Sequence, residues 1–325
     1  MRLKAFNPHN AMLAVLTLLL FAGITAQYPQ FASPANLRDS LDDTAILILL
    51  ALGQMLVILT RGIDLSVAAN VAFTGMAVAL LNQHHPGIDI IVLLLLSIVI
   101  GAALGLLNGL LVWQVSIPPI VVTLGTMAVY RGMTFVISGG RWVTSNDMST
   151  AFLGLVRGSI FGISSLSLIA LTIALLVWLF LKFTSPGRNL YAAGNNPVAA
   201  AYIGVNVGRM QCVAFTLCGA IAGLCGYLWA ARYAVAYTDT ANGFELTVIA
   251  ACVIGGISIA GGIGTVLGLL LGCLFLGVIK NALPLLGVSP FWQTAISGVV
   301  ILSAVIINAS HSAKTRQKIL EEPAP

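Results

Sequence analysis

Apolar runs long enough to cross a bilayer follow one another along almost the whole of this sequence. A spanning helix needs about twenty mostly apolar residues at about 1.5 Å of rise each. Runs of that kind lie near residues 10–27, 43–60, 65–82, 88–113, 117–138, 165–182, 210–231, 244–258, 262–283 and 291–309. Hydrocarbon offers the backbone no hydrogen-bond partner, so each run must satisfy itself as a helix. Charged residues make up 8% of the 325 and mean hydropathy is +1.02, whereas a soluble domain carries about 25% charge. The solvent of such a surface is lipid. The expectation is an all-α polytopic membrane protein with about ten transmembrane helices. No polar linker divides the runs, so residues 1–325 read as a single transmembrane domain.

The formal net charge is +5, but the cations form no patch suited to nucleic acid. They sit in short segments between apolar runs, as the positive-inside rule describes. With Arg2 and Lys4 inside, the inside segments hold Arg61, Lys182, Arg188, Arg209, Lys314, Arg316 and Lys318. The outside segments then hold Asp39, Asp42, Asp43, Asp89, Asp147 and Asp239, with Arg141 and Arg157. This places both termini, the loop 183–210 and the tail 310–325 in the cytoplasm. The apolar run from Ala11 to Ala26 is long for a signal core, and Ile24-Thr25-Ala26 is a poor cleavage site, so it reads as an uncleaved first helix. Cys212, Cys218, Cys225, Cys252 and Cys273 lie in apolar segments without metal-ligand spacing and read as small packing residues.

Enzyme chemistry has no visible footing. There is no phosphate-binding GxxxxGK[ST] loop, no HExxH, no GxSxG and no pair of carboxylates in one apolar segment. Neither nucleotide hydrolysis, a cofactor nor a metal is expected of this chain itself. Glycines recur four apart at Gly101, Gly105 and Gly109, at Gly264, Gly268 and Gly272, and at Gly219 and Gly223. Each series gives a smooth strip on one helix face where another helix can come close. Gly62-Ile63-Asp64-Leu65-Ser66 and Gly256-Ile257-Ser258-Ile259-Ala260 resemble one another faintly, each at a break before a further apolar run.

The longest inside segment, Phe183 to Met210, carries the most local detail. Pro186-Gly187 predicts a turn after the sixth span. Asn195 or Asn196 can cap a short helix with Pro197 in its first turn, running from Val198 to Ile203 and ended by Gly204. A short capped helix of this kind is either an ordinary connection or a rigid knob for docking into a partner.

This loop resembles the cytoplasmic coupling segment of permeases in the ribose/xylose/galactose-type family of ABC importers, whose members carry monosaccharides, rhamnose and autoinducers. Other motifs agree in order along the chain. Gly62-Ile63-Asp64-Leu65-Ser66-Val67 is similar to a Gly-x-Asp-Leu-Ser-Val segment, departing at Ala68 where the family more usually has glycine. Pro118-Pro119-Ile120-Val121-Val122-Thr123-Leu124-Gly125, followed by Arg131-Gly132, resembles the Pro-x-Ile-x-Thr-Leu-Gly stretch. Glu245, Gly255-Gly256-Ile257-Ser258 and Gly261-Gly262-Ile263-Gly264 resemble the Gly-Gly-x-Ser region. The resemblance implies a type II-like ABC importer permease in a bacterial inner membrane. It also implies a second permease subunit (identical or only similar), two cytoplasmic ATPase subunits and a periplasmic sugar-binding protein. The ATPase-coupling residues would be Gly187, Arg188, Gly194, Asn195, Asn196, Pro197, Ala200 and Gly204.

Polar groups within spans are costly, hence functional candidates. Asp64 could cap the third span through Ser66 or Val67 amides, or pair with Arg61. Arg131, inside an apolar run, must reach an acid, a carbonyl or water, and a buried ion pair or a sugar contact would each serve. Glu245 reads equally as a helix-start acid and as a gate or a contact with the binding protein. A neutral sugar's path needs hydroxyls and amides, which Asn70, Thr74, Asn108, Thr123 and Thr126 could offer. Each threonine alone is as well explained by a bond to the preceding helical turn. The rival mechanism, an ion-driven secondary sugar transporter, wants an ionisable group near mid-membrane, whereas the acids here cluster at span ends.

Overall fold

The computed structural model describes residues 8–160, 162–289 and the isolated positions 292, 295, 298 and 299. The expected last span, 291–309, and the tail 310–325 therefore lie almost entirely outside the described residues. The rest is a helical bundle. Its longer helices are α1 (Pro8–Gln27), α2 (Pro34–Leu59), α3 (Val67–His84), α4 (Ile90–Gln114) and α5 (Pro119–Ser138). After a short α6 (Thr150–Arg157) come α7 (Ser165–Phe183), α8 (Ser185–Asn195), α9 (Pro197–Tyr202), α10 (Val207–Tyr233), α11 (Phe244–Ile254) and α12 (Val266–Leu285). Seven of these, α1, α2, α4, α5, α7, α10 and α12, are long and apolar enough to cross a membrane. The only strands among the described residues are two-residue pairs: β1 (Val143–Thr144) lies antiparallel to β4 (Val235–Ala236), and β2 (Ser159–Ile160) to β3 (Ile163–Ser164).

Most helix starts are set locally. Ser33, Asp89, Ser149, Ser164, Thr184, Asn206 and Thr265 each accept a main-chain N–H of the first turn they precede, satisfying donors that a helix cannot pair internally. Proline stands in the first turn of α2, α5, α8 and α9, where its missing N–H costs nothing.

The core is built around α2 and α10. In α2, Leu49, Ala51, Leu52, Met55, Val57, Ile58 and Leu59 are wholly enclosed, with α7, α10, α11 and α12 against it. On the other side α10 lies along α3 and α4. Lipid tails are as apolar as these side chains, so close packing and polar ties must hold the helices together. The glycine strips supply that packing. A Cβ on Gly101 would strike the Gly219 carbonyl, one on Gly105 the Phe215 carbonyl, and one on Gly109 would lie 2.7 Å from the Cys212 Cα. The expected strips on α4 and α10 therefore meet backbone to backbone. Gly268 and Gly272 do the same against Ala251 and Gly255 of α11, while Gly264 lies before α12 and outside that strip.

Two expectations need correction. The apolar run 244–258 is not a full span: α11 has 11 residues, about 16 Å of rise, and Gly255 and Gly256 end it. Nor is 183–210 a loop with a turn at Pro186-Gly187. Thr184 caps a helix there, and Pro186 is tolerated because it falls in the first turn of α8.

Candidate functional site

At one end of the bundle α7, α8 and α9 follow with almost no connecting chain. The Thr184 hydroxyl accepts the Gly187 N–H at 3.1 Å, and a Cβ on Gly187 would collide with the Phe180 carbonyl. This lets α8 fold back closely on α7. Arg188 is exposed, whereas Leu190, Ala193 and Gly194 are buried. Asn196 serves two helices. Its N–H bonds the Ala192 carbonyl at 3.2 Å and ends α8, while its side chain accepts the Ala199 N–H at 3.1 Å and begins α9. Asn195 is the last residue of α8 and caps nothing. Gly204 closes α9 with a φ of +85° that only glycine adopts without strain, and the Val205 N–H reaches back to the Ala200 carbonyl at 2.9 Å.

The six-residue α9 is anchored on one face and bare on the other. Ala200 is 2% exposed, but Val198, Tyr202 and Ile203 are 66%, 88% and 75% exposed. This end thus presents an apolar tip on a rigid, doubly capped support.

The break between α2 and α3 is a second polar centre. Asp64 is buried, and its Oδ1 accepts both the Ser66 N–H at 2.9 Å and the Ser66 hydroxyl at 2.6 Å. The Asn108 amide donates to Ser66 Oγ at 2.8 Å, and the Tyr130 hydroxyl donates to the Leu104 carbonyl at 2.9 Å and to Asn108 Oδ1 at 3.3 Å. Asp64, Ser66, Asn108 and Tyr130 therefore form one chain of bonds joining the start of α3 to α4 and α5. Asp64 does not pair with Arg61, which turns toward α8. Its guanidinium donates to the carbonyls of Gly194 at 2.6 Å and Asn195 at 3.0 Å.

The other expected path residues also have partners within the chain. Asn70 donates to the Gly101 and Gly219 carbonyls at 3.2 and 3.5 Å, where the glycine strips cross, and its Oδ1 is enclosed without a partner. Thr74 bonds the Asn70 carbonyl at 2.7 Å, Thr126 the Val122 carbonyl at 3.1 Å, and Thr123 the Ile63 carbonyl at 3.1 Å. All five path candidates are at most 8% exposed. The outward face of α5 is different: Val121, Gly125, Ala128, Gly132 and Phe135 recur at helical spacing and are all exposed, with nothing near the two glycines.

Arg131, in the middle of α5, reaches carbonyls rather than a carboxylate. It donates to Thr238 O at 3.1 Å and Thr240 O at 2.6 Å, with Glu245 and Asp239 close enough to interact electrostatically. Between β4 and α11 the chain therefore turns back toward α5, within reach of the Arg131 side chain. Glu245 sits in the first turn of α11, where a carboxylate suits the positive helix end, and its Oε2 is enclosed without a hydrogen-bond partner. Near β1, an open cavity of about 600 Å³ lies between Gln83 and His84 of α3 and Ser138, Arg141 and Trp142. Trp142 leans on Tyr237 with ring centres 5.1 Å apart. In the last turn of α10, Arg232 gathers Asp39, Asp42 and Asp43 at 3.0, 3.9 and 3.5 Å.

Sequence reasoning named Ser66 as a partner of Asp64, considered Arg61 only as a partner of Asp64, and missed Tyr130, which bonds Asn108, and Tyr191, which bonds the Gly264 carbonyl.

Comparison with known proteins agrees with this architecture. Residues 36–305 match the family described as branched-chain amino acid transport system / permease component. The chain is 38% identical to the autoinducer 2 import system permease protein LsrC of Enterobacter sp. strain 638 over 299 residues, covering 92% of this chain and 85% of that one. It is 38% identical to LsrC of Salmonella paratyphi B over 92% of this chain and 85% of that one. LsrC of Escherichia coli O9:H4 is 36% identical over 92% of this chain and 86% of that one. No solved structure matches. Transport systems of this kind place ATP hydrolysis outside the permease, in keeping with the absent phosphate loop, and the ion-driven alternative falls away. A helical bundle with seven membrane-length helices among its described residues, matched over most of its length by importer permeases, belongs to the ABC importer permease family described as branched-chain amino acid transport system / permease component.

Proposed function

We propose that this chain is the channel-forming half of an importer that carries a monosaccharide or a related small polar solute, and that α9 is the lever by which ATP drives it. The reading rests on one observation: the exposed Val198, Tyr202 and Ile203 tip on a helix whose Ala200 is seated in the bundle. Apolar side chains this bare, on a helix that the positive-inside reading of the charges assigns to the cytoplasm, support a partner groove there. Two cytoplasmic ATPase subunits supply that groove in this reading, and both termini share their side of the membrane. A periplasmic binding protein delivers solute to the opposite end. The naming of LsrC relatives for autoinducer 2 import supports a small, oxygen-rich cargo.

A second permease subunit completes the path, with the exposed small-residue face of α5 turned toward it. Asn70, Thr74, Asn108, Thr123 and Thr126 then shape the wall of that path from within. Asp64 holds the α2–α3 break, and Arg131 with Glu245 governs the segment that precedes α11. Closure of the ATPase subunits shifts the inward–outward equilibrium because the two states seat α9 differently.

Replacing Ala200 with proline tests the reading, since proline in a helix interior removes a hydrogen bond and clashes with the preceding turn. Uptake in cells should be abolished while the protein accumulates in the membrane at an unchanged level. Normal uptake at matched protein level would remove the coupling role.

A further inference from the structure

The C-terminus of α8, one residue before the start of α9, is locked to two distant parts of the chain. Gly194 touches α2 so closely that any side-chain carbon would overlap the Leu59 carbonyl. That carbonyl accepts the Gly262 N–H at 3.0 Å, from the turn between α11 and α12. Arg61 spans α8's end with its two bonds to Gly194 and Asn195. The Tyr191 hydroxyl closes the third side on the Gly264 carbonyl at 3.0 Å. At Gly194, Leu59 and Gly262 backbone meets backbone, and the Arg61 and Tyr191 side chains brace that contact with hydrogen bonds.

Arg61 is also the residue at which strain is stored. Its φ is +65°, a left-handed conformation unfavourable to a side chain with a Cβ. Such a conformation persists where the surroundings over-determine it. The guanidinium is well matched to its site, because a cation at a helix C-terminus meets unpaired carbonyls and the negative end of the dipole, and its rigid fork can take two carbonyls at once. At its far end, α11 begins beside the segment that Arg131 holds. A continuous physical route thus runs from α9 through the clasp to α11 and the segment before it.

We propose that this clasp transmits the movement of α9 to α2 and α11, with Arg61 as a positioning residue for coupling. The inference rests on the docking role of α9 proposed above. A lever moves a gate only if the connection between them is stiffer than the gate, and the glycine-tight backbone contact of Gly194 and Gly262, braced by the hydrogen bonds of Arg61 and Tyr191, provides that stiffness.

The test uses the complete transporter with its ATPase subunits, in lipid vesicles. A single reactive cysteine replaces the exposed Leu246 in the first turn of α11, and its labelling rate is compared with and without trapping of the ATPase subunits by ATP and vanadate. The chain's own five cysteines are all buried. Trapping should change the rate in the parent protein. In Arg61→Gly, which removes the guanidinium and relieves the backbone, that change should shrink about tenfold, in line with losing a charged hydrogen bond. Tyr191→Phe should weaken it less, and Arg61→Lys should restore part of it, all with the ATPase subunits still co-purifying. A response unchanged in both Arg61→Gly and Tyr191→Phe overturns the clasp. Loss of co-purification in Arg61→Gly also overturns it, since Arg61 would then merely hold α9 in place. The docking reading fails separately, if Ala200→Pro leaves co-purification and uptake intact.

Discussion

Two glycine-built junctions in this protein look alike in composition and differ in what they join. Where α4 crosses α10, Gly101, Gly105, Gly219 and Gly223 bring two long helices into backbone contact, with Asn70 tying the crossing to α3. At the foot of α9, Gly194, Gly261 and Gly262 bring a helix end, a helix break and a turn together around Arg61. The first junction lies within regular helices, and its glycines remove side chains so that dispersion can act at short range. The second needs positive φ as well, at Gly261 (+86°) and Gly262 (+71°), so its glycines shape the chain as well as clear space. One joint holds the bundle together; the other ties it to α9, the lever of the proposed function.

The contrast can be broken most sharply at the crossing. Gly219→Leu must push a branched side chain into the Gly101 carbonyl and Gly105. Overpacking of that kind should cost about 3 kcal/mol, seen as lost membrane accumulation and early thermal aggregation in detergent. A Gly219→Leu protein of normal stability would mean that the strips do not bear on folding. At the clasp, Gly194→Ala adds a single carbon against the Leu59 carbonyl and should cost about 2 kcal/mol. Here uptake should fall further than protein level; equal losses in both would make this joint no different from the crossing.

A smaller effect separates the lever from its support. Asn196→Ala deletes the cap of α9 but leaves the clasp untouched, at a cost of about 1 kcal/mol to that helix. Uptake should drop partially, and Asn196→Ser should retain more than Asn196→Ala. Identical uptake in the two variants would argue against a formed α9 in the working state. The smallest change is expected where glycine meets open space. Gly125→Ala on α5 has no neighbour within 4 Å, so thermal stability of the isolated chain should shift by no more than about 0.5 kcal/mol. A larger loss in the assembled transporter alone would locate the second permease subunit on this face.

Much of the molecule was readable residue by residue. Repeated apolar runs required helices in lipid, the four-residue glycine spacing required close crossings, and Asn196, Pro197 and Gly204 marked a short helix with its cap and its end. These are properties of neighbouring residues. Helical geometry and capping act over three or four positions, which is the range that a sequence displays.

Other features depended on segments far apart in the chain. Nothing near Arg61 in sequence says that it turns from Asp64 to carbonyls 133 and 134 residues away. Likewise, Asn108 becomes a link between Ser66 and Tyr130 only once α3, α4 and α5 lie together. A polar group inside the bundle must find some partner, because leaving it unpaired is costly; composition reveals that need and folding chooses the partner. The amino-acid order by itself determined that this chain is a membrane bundle bearing a short capped helix. Only the tertiary structure decided which glycines became strips and which became a clasp, because that depends on the backbones that arrive opposite them.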